Sequence, residues 1–464
     1  MSSLWDTIIT NLPEVAGPTQ KRLSFSEKLK WTGIILGLFF VLGLVPLFGL
    51  GQNALQQFEF LSAILGAEFG SVISLGIGPL VTASIVLQLL NGSGIVKFDL
   101  RSPEGKKSFQ GTQKFLSIFF VIFEAAIYVF MGGLAPDLKY AGTPMYFGFE
   151  LMLVFQLFIG GIMIMFMDEV VSKWGFGSGI SLFIAAGVSK SIFIRALSPL
   201  ASPANPEMPT GAIPLLIKSL SMGDAVTAAL MIAALAATIL VFVMAVYAQS
   251  MKVEIPLSFG RIRGHGIRWP LSFVYTSNIP VILVAALLAN VQLWARLLER
   301  WGHPILGTFV GNSPSTGLVA WLYSPNIVEK FIKGSLTFPD IGHSLIYILI
   351  MVAGCIMFSI FWVQTSGMDA RSQAKNIMAS GLSIPGFRND PRIMERILER
   401  YIGPLTVMGA ISIGILAALA DLAGALANGT SLLLSVMIIY RLYEEIAKQH
   451  MYDMHPMMRK FMTI

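Results

Sequence analysis

Long apolar runs separated by polar connections recur along the whole chain. Each run contains about twenty residues with few or no charged side chains, which is the length that a helix rising about 1.5 Å per residue needs to cross the hydrocarbon layer of a membrane. The pattern predicts an all-α polytopic membrane protein with ten transmembrane helices. The predicted spans cover residues 32–48, 72–90, 115–133, 148–167, 178–194, 225–248, 271–293, 343–363, 402–420 and 430–447.

A long connection at residues 196–223 divides the ten spans into two sets of five. Because five is odd, the second set crosses the membrane in the opposite sense, which permits an inverted repeat with a functional site between the halves. We therefore predict a first half over residues 32–195, an external hinge loop over 196–223 and a second half over 224–447. Residues 1–31 are predicted to form a cytosolic amphipathic segment, and 448–464 a cytosolic tail.

The stretch of residues 52–90 is too long for one span, and its first part is polar and contains several glycines. We predict that a short amphipathic segment at about residues 53–70 re-enters the membrane from outside without crossing it. Such a segment belongs inside the bundle, because non-helical backbone at that depth must be surrounded by protein or water. A mobile stopper is one function for it, and a helix on the membrane surface is the alternative. Its apolar side chains include Phe58, Leu61, Ile64 and Leu65.

Composition and charge placement agree with a membrane protein. The chain is 55% hydrophobic and 12% charged, with a mean hydropathy of +0.72, whereas soluble chains are about 25% charged. Most of the 32 Lys and Arg residues fall in the tails and the even-numbered connections, so the positive-inside rule predicts that both termini are cytosolic. Two cytosolic connections, 249–270 and 364–401, are long and basic. Their charges either dock a partner or only set the topology and meet lipid headgroups.

Signatures of enzyme chemistry are missing from the sequence. It has no GxxxxGK[ST] loop, no HExxH, no CxxC and no GxSxG elbow, which argues against the commonest phosphate, metal and activated-serine sites. The five histidines lie in loops or near the chain ends, at spacings that do not suit one ion. Cys355 has no intrachain partner for a disulfide. We predict no enzyme activity, no cofactor and no metal.

An ion-coupled secondary transporter with inverted repeats is the alternative interpretation. Such carriers usually keep ionisable groups or unwound carbonyl sites near the midplane. Acidic residues are almost absent from the predicted spans, and Glu124 is the main exception. Glu124 is either part of a proton relay or a buried carboxyl hydrogen-bonded to a neighbouring helix, and we favour the second interpretation.

Eight segments along the chain carry motifs that chance similarity between apolar helices would not reproduce. They are GIGPLVTASIVLQLL at 76–90, FQGTQK at 109–114, DEVVSKWGFGSGISLFIAAGVS at 168–189, IPLSFGRIRGHGIRWP at 255–270, TSNIPVILVAALLANVQLW at 276–294, IPGFRND at 384–390, GPLTVMGA at 403–410 and SLLLSVMIIYRLYEE at 431–445. In order and spacing these segments resemble the SecY family of protein translocase channel subunits, in its archaeal form. The resemblance covers essentially the whole chain.

The resemblance implies an hourglass of two five-helix halves that opens at a lateral gate between the second and seventh spans. It also implies a plug, which falls on about residues 53–70, and an apolar ring at the waist. An aliphatic constriction excludes water and ions by dewetting, although pairs at helical spacing taken alone are more typical of ordinary packing. The ring falls on Ile77, Val81, Ile180, Ile184, Ile279 and Ile282, with Leu434 near the same level.

By the same resemblance, three polar residues lie at the lateral gate, where they can hydrogen-bond across the closed seam: Thr82, Gln88 and Asn290. A hydrophobic signal segment would compete for that seam and partition into lipid. The two basic connections would meet ribosomal RNA phosphates. The docking residues are Arg261, Arg263, Arg268 and Arg388.

The partners implied are a SecE-like subunit, a small one-span beta- or SecG-like subunit, the ribosome, nascent chains that carry a signal sequence, and membrane lipid. A motor ATPase would bind the same cytosolic surface if the system is bacterial-like. The expected location is the cell (plasma) membrane, as a multi-pass protein with both termini in the cytoplasm.

Overall fold

The computed structural model describes residues 11–20, 23–51, 70–92, 95–96, 98, 102–130, 132–200, 208–259, 266–276, 278–310, 313–379, 382–383 and 390–454. Several predicted site residues lie outside these ranges. They are the plug residues Phe58, Leu61, Ile64 and Leu65 and the docking residues Arg261, Arg263 and Arg388.

Helices account for most of the described chain. They are α1 (Phe25–Gly43), α2 (Gly78–Gly92), α3 (Pro103–Phe130), α4 (Pro144–Trp174), α5 (Gly179–Leu197), α6 (Ala212–Met222), α7 (Ala225–Ser250), α8 (Ile279–Arg300), α9 (Gly317–Trp321), α10 (Ile327–Ile332), α11 (Phe338–Thr365), α12 (Ala370–Ala379), α13 (Pro391–Leu422) and α14 (Gly429–Met454).

Each of the ten predicted spans falls on a helix, namely α1 to α5, α7, α8, α11, α13 and α14. Within the described ranges, seven of these helices are both long and apolar enough to cross a membrane. The other three are α1, which carries Glu27, Lys28 and Lys30 near its start, the 15-residue α2, and α14, whose second half is charged. The prediction of an all-α polytopic membrane protein is confirmed.

Two predicted spans begin six or more residues too early, and two end too late, at 48 against Gly43 and at 133 against Phe130. Residues 44–48 and 72–77 form turns and an isolated bridge between Pro46 and Ser71. Gly70 and Gly76 have φ of 87° and 55°, a left-handed conformation that a glycine adopts without strain. Residues 271–272 complete strand β2, and residues 273–276 and 278 form bends and turns before α8. Hydropathy cannot distinguish these apolar turns from helix, because it reports the apolar character of the side chains and not the backbone conformation.

A small sheet joins the two basic connections. Strands β1 (Lys252–Phe259) and β2 (Gly266–Ser272) pair antiparallel, with Ile255 opposite Trp269. A separate two-stranded pair before α9 is formed by β3 (Phe309–Val310) and β4 (Ser313–Pro314) and is not part of this sheet. A short fifth strand, β5 (Leu382–Ser383), adds to the other edge of β1, so the strand order is β2-β1-β5.

Buried side chains hold this sheet against α12 and α13. Ile255 and Leu271 of the hairpin are 2% and 4% exposed and share one cluster with Ile377 of α12 and Leu398 of α13. The largest buried cluster lies elsewhere and contains side chains from both halves, including α2, α5, α8 and α14. The functional residues predicted for the waist lie in that cluster.

Candidate functional site

The seven aliphatic residues predicted for the waist meet in one cluster. Four are buried at 1–4% exposure, namely Ile77, Val81, Ile184 and Leu434. The remaining three are partly buried and pack against the same cluster: Ile180, Ile279 and Ile282. They come from α5, α8, α14 and the start of α2, where the Val81 amide donates to the Ile77 carbonyl at 3.0 Å.

A cavity of about 400 Å³ opens beside this cluster. Val81, Ile180, Ile279 and Ile282 form part of its wall, so these four waist residues face accessible space and not only each other. Other parts of the wall come from the α4–α5 connection, from α11 and from the charged part of α14, on the predicted cytosolic side. Those lining residues include Ser178, Trp362, Arg441 and Glu445.

One hydrogen bond closes the seam between the second and seventh predicted spans. Asn290 Nδ2 of α8 donates to Thr82 Oγ1 of α2 at 3.0 Å. The Thr82 hydroxyl lies 3.0 Å from Glu124 Oε1 of α3 and 2.9 Å from the Gly78 carbonyl oxygen. Its single proton serves one of these acceptors at a time. Three helices therefore meet at Thr82.

Glu124 is 6% exposed and is bound to a residue of a neighbouring helix. The interpretation of Glu124 as a hydrogen-bonded buried carboxyl is confirmed. Sequence reasoning did not place it at the seam, although its signal was available, because it is the main acidic residue inside a predicted span.

Gln88 does not join the Thr82–Asn290 bond. It is 3% exposed and lines the 400 Å³ cavity, and its Oε1 has no hydrogen-bond partner within the described residues. The structure thus brings two of the three predicted gate residues together and places the third nearer the predicted cytosolic side.

Comparison with known proteins decides the family. The family model of SecY matches residues 71–443, and that of the plug domain of Sec61p matches residues 38–70. The chain belongs to the SecY family. The resemblance found in the sequence is therefore confirmed, and the predicted plug at 53–70 falls within the match to the plug domain.

Individual members of the SecY family match over nearly the full length. Protein translocase subunit SecY of Methanothermobacter thermautotrophicus is 45% identical over 462 residues, which cover 99% of this chain and 98% of that protein. A solved protein-conducting channel is 42% identical with a TM-score of 0.83, covering 97% of this chain and 98% of its own. Sec61 in a canine ribosome-channel complex from the endoplasmic reticulum is 42% identical with a TM-score of 0.80, at the same coverage.

In this SecY-family chain, Arg268 is the predicted docking residue that lies within the described ranges. Its side chain is 79% exposed on β2 and pairs with Glu254 at 2.9 Å. On the same strand pair, Lys252 bonds Glu444 of α14 at 2.9 Å, and this hydrogen bond raises the pKa of Lys252. The sheet is therefore tied to α14, a helix that contributes to the waist.

The N-terminal segment is attached to α4 by contacts that the sequence did not predict. The Val15 amide donates to Glu169 of α4 at 2.8 Å, and the Trp174 indole donates to the Ala16 carbonyl at 2.9 Å. Lys173 pairs with Glu14 at 2.5 Å, and this hydrogen bond lowers the pKa of Glu14. No local pattern in residues 11–16 indicates these contacts.

Within the described ranges, no group of three or more His, Cys, Asp and Glu side chains is arranged to hold a metal ion. The described residues of the site offer aliphatic contacts and the side-chain hydrogen bonds at Thr82.

Proposed function

We propose that this chain is the pore-forming subunit of a Sec protein-conducting channel. It passes secretory polypeptides through the waist and releases transmembrane segments into lipid through a gate between α2 and α8. The observation that carries the proposal is the meeting of seven aliphatic side chains from four parts of the chain, four of which line a 400 Å³ cavity.

Aliphatic side chains suit a pore for unfolded chains. They exclude water and ions by dewetting when no chain is present, and they adapt to any side chain because they make no directional bonds. The chain itself supplies no driving force in this scheme, which comes from a partner. The plug segment at about 53–70 closes the external side of the waist.

A signal segment opens the gate by competing for the seam. The closed seam is held by apolar packing and by the Asn290–Thr82 bond, and side-chain hydrogen bonds in membranes contribute about 0.6 to 2 kcal/mol. A sufficiently hydrophobic helix offsets that amount by its own contacts with α2, α8 and lipid. Glu124 contacts the seam through Thr82, which favours a buried hydrogen-bonded carboxyl over the coupled-ion site that the transporter alternative needs.

The proposed assembly includes a SecE-like subunit and a small one-span beta- or SecG-like subunit in the cell membrane. Both termini and the β1–β2–β5 sheet face the cytosol. The ribosome docks on this sheet through Arg261, Arg263, Arg268 and Arg388. Support comes from the exposure of Arg268 and from the likeness to Sec61 of a ribosome-channel complex. A motor ATPase would use the same face.

Site-specific crosslinking tests the proposal. A photoreactive residue is placed in turn at Ile77, Ile180 and Ile282, and a stalled secretory nascent chain is targeted to the membranes. The matched control is Ile239 of α7, an isoleucine that is 65% exposed on the outer surface of the bundle.

Crosslinks from the three waist positions and none from Ile239 are the expected result. If targeting of the stalled chain is verified and no waist position crosslinks, these residues have only a packing role. The secondary transporter would then become the first hypothesis.

A further inference from the structure

A second cavity lies behind the gate helix, on the side of the α13–α14 connection. Its volume is about 190 Å³. The walls come from α8, α11, the α13–α14 connection and the loop that follows α9. Among the residues that line it are Ala285, Leu288, Gln292, Ser324, Tyr347, Met351, Ala425 and Asn428.

This cavity lies on the face of α8 that points away from α2. Leu288 and Gln292 line it, and each is two residues from Asn290, which bonds to α2. With about 3.6 residues per turn, a separation of two places side chains on opposite faces of a helix. The face of α8 opposite the seam therefore borders a cavity at the level of the seam bond.

One part of that cavity wall is polar. Asp421 accepts hydrogen bonds from the Tyr347 hydroxyl and the Thr430 amide, both at 2.7 Å. Asn428 Nδ2 and Ser324 Oγ have no hydrogen-bond partner within the described part of the chain. A polar cavity of this size admits water. Water rearranges when a helix moves, whereas packed side chains resist.

Close packing lies one turn nearer the start of α8. A Cβ on Gly354 of α11 would lie 2.9 Å from Val284 Cγ2, so the two helices are in tight contact there. Movement of α8 toward α11 is blocked at Val284 and is permitted at Leu288 and Gln292. This arrangement defines a pivot and a space beyond it.

We propose that the cavity is the space that α8 enters when the gate opens, with α8 tilting about the Val284–Gly354 contact. Ala285 and Leu288 then set the ease of opening through the volume they leave. This inference rests on the proposed function, because it takes α2 and α8 as the gate. A larger side chain in the cavity holds α8 against α2, and a smaller one lets it retreat.

Ala285→Leu is the filling variant. The measurement is transport of a reporter series whose signal sequences differ stepwise in hydrophobicity, with channel abundance in the membrane checked for each variant. Ala285→Leu is expected to reduce transport of the marginal signals about fivefold or more, as overpacking shifts the population toward the closed gate. The matched control is Ala236→Leu on the exposed surface of α7, which is expected to transport as the unmodified chain does.

Leu288→Ala is the variant expected to change transport in the opposite direction. It enlarges the cavity and is expected to increase transport of the same marginal signals. A role in packing alone predicts that both variants reduce transport, and that outcome overturns the inference. If Ala285→Leu does not accumulate in the membrane, Ala425→Leu fills the cavity from the opposite wall and carries the same expectation.

Asn290→Leu distinguishes failure of the cavity inference from failure of the proposed gate. If Asn290→Leu shifts the signal requirement and both Ala285→Leu and Ala425→Leu leave it unchanged, the gate stands and the cavity has no part in it. If the waist positions also fail to crosslink to the nascent chain, the proposed function itself fails.

Discussion

Asn290 and Thr82 join the two sides of the seam through one hydrogen bond of 3.0 Å. Such a bond contributes about 0.6 kcal/mol on average in a membrane protein. Burial of a leucine side chain contributes about 1.5 to 3 kcal/mol. The apolar contacts therefore dominate the closed seam. The polar pair stabilises it less than an apolar pair at the same positions would, which makes it easier for a signal segment to open.

Asn290→Leu is expected to raise the signal hydrophobicity that transport requires. The lost hydrogen bond favours opening by about 0.6 kcal/mol, but the new leucine adds apolar contact across the closed seam, which contributes more, about 1.5 to 3 kcal/mol if fully buried. The threshold in a reporter series of graded signals measures the effect.

Asn290→Asp is the matched variant of nearly equal size. It places a second carboxyl beside Thr82, which already contacts Glu124, so charge repulsion is expected to lower the threshold. Equal thresholds for Asn290→Leu, Asn290→Asp and the unmodified chain would remove Asn290 from the gate.

Glycines let the elements of the first half approach each other closely. A Cβ on Gly160 of α4 would lie 1.8 Å from the Val72 carbonyl oxygen, in the turn that leads to the waist. Gly148 on the same helix has nothing within 4 Å of its Cβ position. The packing of α4 thus positions Ile77 through the backbone of residues 72–77.

Gly160→Ala is expected to destabilise the protein by about 1–3 kcal/mol, because the backbone at Val72 must shift. Gly148→Ala is the control, and is expected to be neutral or stabilising because alanine favours a helix by about 1 kcal/mol over glycine. The thermal unfolding midpoint of the purified channel in detergent compares the two. A Gly160→Ala midpoint at or above that of Gly148→Ala would contradict the close approach.

The N-terminal segment provides another prediction for a single element. Lys173→Gln removes the pair with Glu14, and exchange of the Val15 amide is expected to accelerate about two- to fivefold, because a partly exposed ion pair contributes about 0.5–1 kcal/mol. Hydrogen exchange followed by mass spectrometry measures it. Lys139→Gln, at a side chain 81% exposed, should leave that exchange unchanged, and an equal effect from both variants would show that the pair is not specific.

At the scale of the whole molecule, the sheet of β1, β2 and β5 links distant parts of the chain. Phe259 of one basic connection pairs with Leu382 of the other, and Lys252 ties the sheet to Glu444 of α14. A partner bound to this sheet therefore contacts an element that is linked through Lys252 and α14 to the waist. That connection is a physical route by which docking can bias the gate.

Charge reversal at Arg261 and Arg263 is expected to reduce ribosome co-sedimentation roughly tenfold or more at near-physiological salt, because contacts to phosphate are charge-assisted and salt-dependent. The control is charge reversal at Lys139, on the predicted external side. Intact co-sedimentation of the double variant over a range of salt would exclude these residues as docking contacts.

The sequence by itself determined the membrane class, the positions of ten helices and the family, and it predicts the orientation. These features depend on composition, run length and motifs, which are local along the chain. It also placed the aliphatic waist residues, but only through the family resemblance, because an aliphatic pair at helical spacing is the same in a pore and in a packed core.

Only the tertiary structure decided which faces meet. The Asn290–Thr82 bond joins residues 208 positions apart, Glu124 reaches the seam from a third helix, and the cavity behind α8 collects residues from four separate segments. Hydropathy assigns a residue to a span, but the rotation of each helix about its axis is set by packing against its neighbours. For that reason the contact of Glu124 with Thr82, the position of Gln88 away from the Thr82–Asn290 bond and the space behind Leu288 could be seen only in the folded chain.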